Sequence, residues 1–243
     1  MPDTITAPHG QQTDRRIHVQ PREIKEAAFR SLCAAGADPI EAQEGALAVL
    51  RAETKTHGGL RLLTELLDAN WTTPAPTAVA TETSWMGGQL RELDSAGQPP
   101  LRTALQLLDL TYAAPAGEVS VIRTSQTNIP APLWNDLLIR HTAALGRQIV
   151  ITTAHAMSTG DNDAVEYLTV RNNAVSNTQT VESEAVAALL PKTAGNSVVV
   201  MALPDPIHTS PHTAAVAPKP LQMQEKEWQS MYQMSRKYLV PDT

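Results

Sequence analysis

The stretch Arg51-Ala52-Glu53-Thr54-Lys55-Thr56-His57-Gly58-Gly59-Leu60-Arg61 gathers the residue types that acid–base chemistry on a small organic anion requires. His57 can give or take a proton near neutral pH. Arg61, four residues on, can project beside it and hold a carboxylate through two parallel hydrogen bonds. Thr56 and His57 precede two glycines, so Gly58 and its neighbour allow close approach of backbone to a ligand. A helix starting there would add unpaired amides facing the same anion. Such a pair suits proton transfer at the α-carbon of a small acid. The spacing fits a plain helix–helix connector equally, with His57 capping the preceding helix and Arg61 paired with Glu53 or Glu65.

Other residues with chemical potential are more scattered. His155 follows the strand-like run Ile149-Val150-Ile151-Thr152-Thr153. Strand ends commonly carry active-site groups in α/β sheets, so His155 is a candidate on the substrate side, against a turn cap with Ser158. His141 lies on the rim of an apolar helix face and reads as a core or interface histidine. His208 and His212 are separated by Pro211, which keeps them off a shared helical face and favours a solvated loop over a metal pair. Asp161-Asn162-Asp163 opens like a calcium loop, but Asn172 occupies the twelfth position, where a bidentate Glu belongs; a polar turn is expected. The single cysteine, Cys33, can form no intrachain disulfide and reads as a small buried hydrophobe. Among absent motifs are a G-x-G-x-x-G loop after a strand, a Walker A loop, a G-x-S-x-G elbow and a His-Glu-x-x-His helix.

The elements that must position these groups follow from punctuation and periodicity. Pro21 opens a helix with Ile24, Ala28 and Leu32 on one stripe, and Gly36 ends it. Asp38-Pro39-Ile40-Glu41 is an N-cap signature for a second helix, buried through Ala42, Ala46, Val49 and Leu50 and stopped at Gly58-Gly59. A third helix is expected over Leu60–Ala69. Short strands are expected at 78–81 and 89–93, a helix over 100–113, a strand over 119–123 and a helix from Pro132. Further strands are expected at 148–153, 165–171 and 196–202, with a helix at 183–190 and a last one over about 222–238, carrying Trp228, Met231, Tyr232 and Tyr238, its Met and Trp residues as packing anchors. This order predicts a mixed α/β (α+β) fold. It divides into a disordered tail over 1–19, a helical unit over 20–75, a mixed α/β domain over 76–203, and a Pro-rich arm with a C-terminal helix over 204–243.

With 243 residues, 42% of them apolar, the chain can bury a substantial core. A net charge of −6 and only nine aromatic residues (one Phe, four Trp, four Tyr) exclude a nucleic-acid binder built on basic patches and stacking platforms. No apolar run reaches the roughly 18 residues of a membrane span, and the polar N-terminus lacks a signal core. A cytoplasmic location without membrane contact is the expectation.

Thr56-His57-Gly58-x-x-Arg61, following Arg51-Ala52-Glu53, resembles the Ser-His-Gly-x-x-Arg element of the type-2 malate/L-lactate dehydrogenase family. These are NAD- or NADP-dependent oxidoreductases on a non-Rossmann fold, among them imino-acid and sulfolactate reductases. The similarity runs through most of residues 20–202. It implies His57 as proton donor or acceptor, Arg61 as carboxylate anchor, and Thr56 in place of the family's serine. It further implies a homodimer, and a cofactor side at Thr127 and Asn128, where members carry Asn-Ser-Asn-His-Phe-Gly. There this chain departs, with Asn128-Ile129-Pro130 for His-Phe-Gly. The nearest match to the family's Gly-Thr-Asn-Pro loop is Asn172-Asn173-Ala174-Val175-Ser176. Val199-Val200-Met201-Ala202 stands for Leu-Asp-Met-Ala-Thr, leaving Val200 where the family has its aspartate. The chain also ends sooner after that strand than members do. Asp205 is near enough in sequence to be a substitute carboxylate. Three classes of function follow: an NAD(P)-linked oxidoreductase of a small 2-oxo, 2-hydroxy or cyclic imino acid; a cofactor-independent lyase or isomerase on such an acid; and a non-catalytic ligand-binding or partner subunit.

Overall fold

The computed structural model describes residues 15–72, 83–85, 88–95, 97–113, 120–125, 129–145, 147–154, 167–171, 174–178, 197–206 and 219–239. In chain order these form β1 (Arg16–Val19), α1 (Pro21–Ala35), α2 (Pro39–Thr56), α3 (Gly59–Leu67), β2 (Thr83–Trp85), β3 (Gly88–Leu93), α4 (Pro100–Tyr112) and β4 (Ser120–Ser125). There follow α5 (Ala131–Leu145), β5 (Arg147–Ala154), β6 (Tyr167–Arg171), β7 (Ala174–Thr178), β8 (Ser197–Pro206), β9 (Leu221–Gln224) and α6 (Glu225–Arg236), which ends in a 3-10 turn.

The helix boundaries have local causes. The amide of Gln20 donates to Glu23 at 2.8 Å, closing the first turn of α1, and Gly36 ends the helix at φ 109°, a conformation open to glycine and costly for other residues. At α2 the Asp38 side chain accepts from the Ile40 amide at 2.9 Å, while Glu41 accepts from the Asp38 amide at 3.1 Å. Leu32 of α1, Val49 of α2, and Leu62, Leu63 and Leu66 of α3 are fully or almost fully buried together. Each such side chain contributes about 1.5–3 kcal/mol of apolar burial. Gly45 lets these helices close on α4: an added Cβ there would lie 2.7 Å from Leu32 Cδ1 and 2.8 Å from Leu101 Cδ2.

A five-stranded sheet runs in the order β2-β3-β4-β8-β5. β3 and β4 are parallel and joined through α4, whereas β2, β8 and β5 pair antiparallel with their neighbours. The fold is thus mixed α/β, as the element order implied. Among the described residues no helix is long and apolar enough to cross a membrane.

Several expectations are corrected. Residues 16–19, placed in a disordered tail, are strand β1, paired antiparallel with β9 from Arg16↔Gln224 to Val19↔Leu221. Residues 222–224, placed in the last helix, belong to that same ladder, and α6 begins only at Glu225. Arg16-Ile17-His18-Val19 alternates polar and apolar, and Val19 and Met223 turn inward to the core. Residues 174–176, the last three of the stretch matched to a family loop, lie in β7, the second strand of a hairpin with β6. β8 runs beyond 202 and takes in Asp205. The expected strand at 78–81, the expected helix at 183–190, the turn at 161–163 and the pair His208/His212 lie outside the described residues.

An ionic network locks α2 to α5. Asp136, 1% exposed, meets Arg51 at 2.7 Å and Arg140 at 2.6 Å. Arg140 also contacts Glu44, and His141 lies 3.4 Å from the same carboxylate and tilted against the Tyr112 ring. The bond from His141 and the Arg140 guanidinium hold the Glu44 carboxyl below its ordinary value of 4.5, against the opposing effect of burial. A depressed carboxylate stabilises the fold above its unfolded-state pKa, and that contribution disappears as pH falls through the native value. Nearby Asp109 acts in the opposite sense, because burial raises its carboxyl. Glu44→Gln is therefore expected to lower stability by about 2 kcal/mol at pH 7, with the gap to the unsubstituted protein narrowing from pH 7 down into the acid range as the Glu44 carboxylate takes up a proton. Urea midpoints measured across that range check it; a gap independent of pH would refute the assignment.

Candidate functional site at the junction of α2 and α3

α2 ends on His57. The His57 amide donates to the Glu53 carbonyl at 3.1 Å and the Gly58 amide to the Ala52 carbonyl at 3.3 Å, the first of these the single bond of a left-handed (αL) cap. Such closures usually place glycine in the left-handed position. Here that residue is His57, at φ 53°, the one non-glycine residue with positive φ among those described. The imidazole is 71% exposed and its Nδ1 lies 3.5 Å from Glu53 Oε1.

Glu53 is the buried partner, 2% exposed, one helical turn before His57. Its other oxygen accepts the Gly59 amide at 2.9 Å, so a carboxylate caps the positive end of α3. This approach requires glycine. A Cβ on Gly59 would come within 2.8 Å of Glu53 Cβ and 3.0 Å of the Val49 carbonyl. Thr56 is committed locally, its hydroxyl donating to the Ala52 carbonyl at 2.9 Å. Gly58 forms the linker into α3.

A cleft of about 240 Å³ opens beside this junction. Glu53 and His57 form one wall. Arg16, Gln222, Met223 and Gln224 of the β1–β9 ladder form another, and Glu227 of α6 completes it. Arg61 does not line this cleft; it is 78% exposed and pairs with Glu65 at 3.4 Å, as the connector reading allowed. The structure thus brings His57 together with Glu53 and Arg16, rather than with Arg61. His155, Thr127 and Asn128 lie outside the described residues. Among those described, no group of three His, Cys, Asp or Glu side chains could hold a metal ion. His141 is an interface histidine between α5 and α2, and Cys33 is half-buried against the core, its thiol pKa raised by burial and by Asp38.

Sequence reasoning missed Arg16, Gln222, Gln224 and Glu227. The available signal was the alternation in both Arg16–Val19 and Leu221–Gln224, too short in either place to stand out.

No family model matches the sequence, and no curated protein matches it. Solved structures do. A malate dehydrogenase from Entamoeba histolytica superposes with a TM-score of 0.55 at 9% identity, over 94% of this chain and 99% of that one. A dehydrogenase from Sinorhizobium meliloti does so at 0.51 and 13% identity, over 91% of this chain and 100% of that one. This chain shares the fold of those dehydrogenases.

Within that shared fold, the segments that depart from the family's motifs have structural tasks. Ile129 is buried in the core, and the Pro130 carbonyl accepts the amides of Leu133 at 3.0 Å and Trp134 at 3.2 Å, starting α5. Val200 sits in β8 in register with Ile122 on one side and Ile151 on the other.

Proposed function

We propose that the protein is oxidoreductase-like and acts on a small organic acid, of the 2-oxo, 2-hydroxy or cyclic imino class, which exchanges a proton with His57 in the cleft beside α2. The observation that carries this reading is His57 itself: an exposed imidazole held in a left-handed cap over a buried carboxylate. Strain of that kind persists where the surroundings or a function demand it. Glu53 lies 3.5 Å from Nδ1, an approach that orients the ring and leaves Nε2 for the acid. In the reductive direction the imidazolium gives its proton to the oxygen at C2 of a 2-oxo acid, or to the ring nitrogen of a cyclic imino acid; in the reverse direction neutral His57 removes it.

A nicotinamide, when bound, would supply the hydride that such a redox reaction needs. The described residues do not fit a site of the family's form. By the sequence resemblance, Pro130 replaces a glycine that would let backbone approach the ring, and Val200 replaces the carboxylate that would polarise the histidine. That misfit favours a second reading, a nicotinamide-free lyase or isomerase using the same proton relay.

Melting temperatures in the presence of NADH, NADPH and a panel of small 2-oxo and 2-hydroxy acids decide between them. A saturable shift with either nucleotide supports the oxidoreductase. A shift with acids alone, lost in His57→Ala, supports the nicotinamide-free enzyme. Absence of any acid effect sinks both.

A further inference from the structure

We propose that Arg16, rather than Arg61, receives the acid's carboxylate, and that Glu227 restricts the cleft to acids carrying a single carboxylate. This rests on the proposed small-acid site and adds its anchor and its selectivity.

The argument is one of placement and charge. Arg16 lines the cleft, whereas Arg61 does not. Among the described residues Arg16 has no ion pair, while the adjacent Arg15 reaches Glu225 at 3.7 Å and Arg61 is engaged by Glu65. Arg16 stands directly opposite Gln224, with Gln222 two residues along the same strand. Side chains two residues apart share a face of a ladder, so the guanidinium and both amides flank one surface of the cleft. A guanidinium with neighbouring amides offers donors for both carboxylate oxygens and for an oxygen at C2.

The cleft's carboxylates set the limit. Glu53 is compensated by the Gly59 amide and by His57. Glu227 lines the cleft with no ion pair among the described residues. One incoming carboxylate meets Arg16; a second would meet Glu227 and Glu53, and like charges at short range repel. The cleft therefore favours monocarboxylates over dicarboxylates.

Calorimetric titration of the full chain with pyruvate and L-lactate, set against oxaloacetate and L-malate, tests this. Monocarboxylates are expected to bind roughly tenfold more tightly than dicarboxylates. Arg16→Gln should weaken monocarboxylate binding by roughly tenfold or more, with Arg16→Lys losing less because charge is kept while the planar fork is lost. Glu227→Gln should raise dicarboxylate affinity by about threefold or more, and Arg61→Ala should leave all affinities within about twofold. Loss of binding in Arg61→Ala but not in Arg16→Gln, or equal affinity for L-lactate and L-malate, overturns the inference while leaving the small-acid site standing. If no acid of either class binds the unsubstituted protein, or if binding survives His57→Ala unchanged, the underlying site itself is wrong. Melting curves of each variant separate lost binding from lost folding.

Discussion

Asp136→Ala is expected to cost about 3–5 kcal/mol of folding stability. The carboxylate is 1% exposed and holds two guanidiniums, Arg51 from α2 and Arg140 from its own helix. Removing it leaves those cations partly buried and without their shared counter-ion, and the repulsion falls across the contact between α2 and α5. Asp136→Asn, which keeps an acceptor and nearly the same volume, should lose less. Urea denaturation at pH 7 reads both. A loss below about 1 kcal/mol for the alanine variant would mean that the network behaves like a solvated surface pair.

His57→Gly is expected to move stability and function in opposite directions. Glycine adopts the left-handed conformation freely, so the fold should gain about 1 kcal/mol, a rise in melting temperature of a few degrees. Loss of the proton relay should lower turnover of the cognate acid by about 10²–10⁴-fold. His57→Ala provides the contrast, because it deletes the imidazole while retaining the unfavourable φ. It should lose function without the gain in melting temperature. If glycine left turnover intact, His57 would be a helix cap and nothing more.

Some of the site was legible in the residues. Gly58 and Gly59 do mark the junction of two helices, and the glycine at 59 is there for close approach, though to the Glu53 side chain. Glu53 appeared only as a pairing option for Arg61, yet it is the buried partner of His57. The relation is i, i+4, within reach of a local argument; what was not readable is that α3 covers Glu53 and buries it. Arg61 illustrates the opposite error of locality. Four residues after His57 it looks adjacent, but the chain reverses into a new helix between them, and Arg61 turns to Glu65 on its own helix. The cleft's other wall comes from residues about two hundred positions apart in sequence, Arg16 and Gln224, joined by a ladder of four residue pairs.

By itself, the amino-acid order determined the helices, their caps and the mixed α/β class, because those depend on contacts within a few residues: Asp38 with Ile40 and Glu41, Gly36 at a left-handed stop, leucines three and four apart on one face. Only the tertiary structure decided that the first and last strands meet, that a cleft forms against His57, and that Arg16 is the guanidinium in it. Pairing of that kind is selected by burial of Val19 and Met223 within the whole core. A four-residue alternation carries too little free energy to announce it alone.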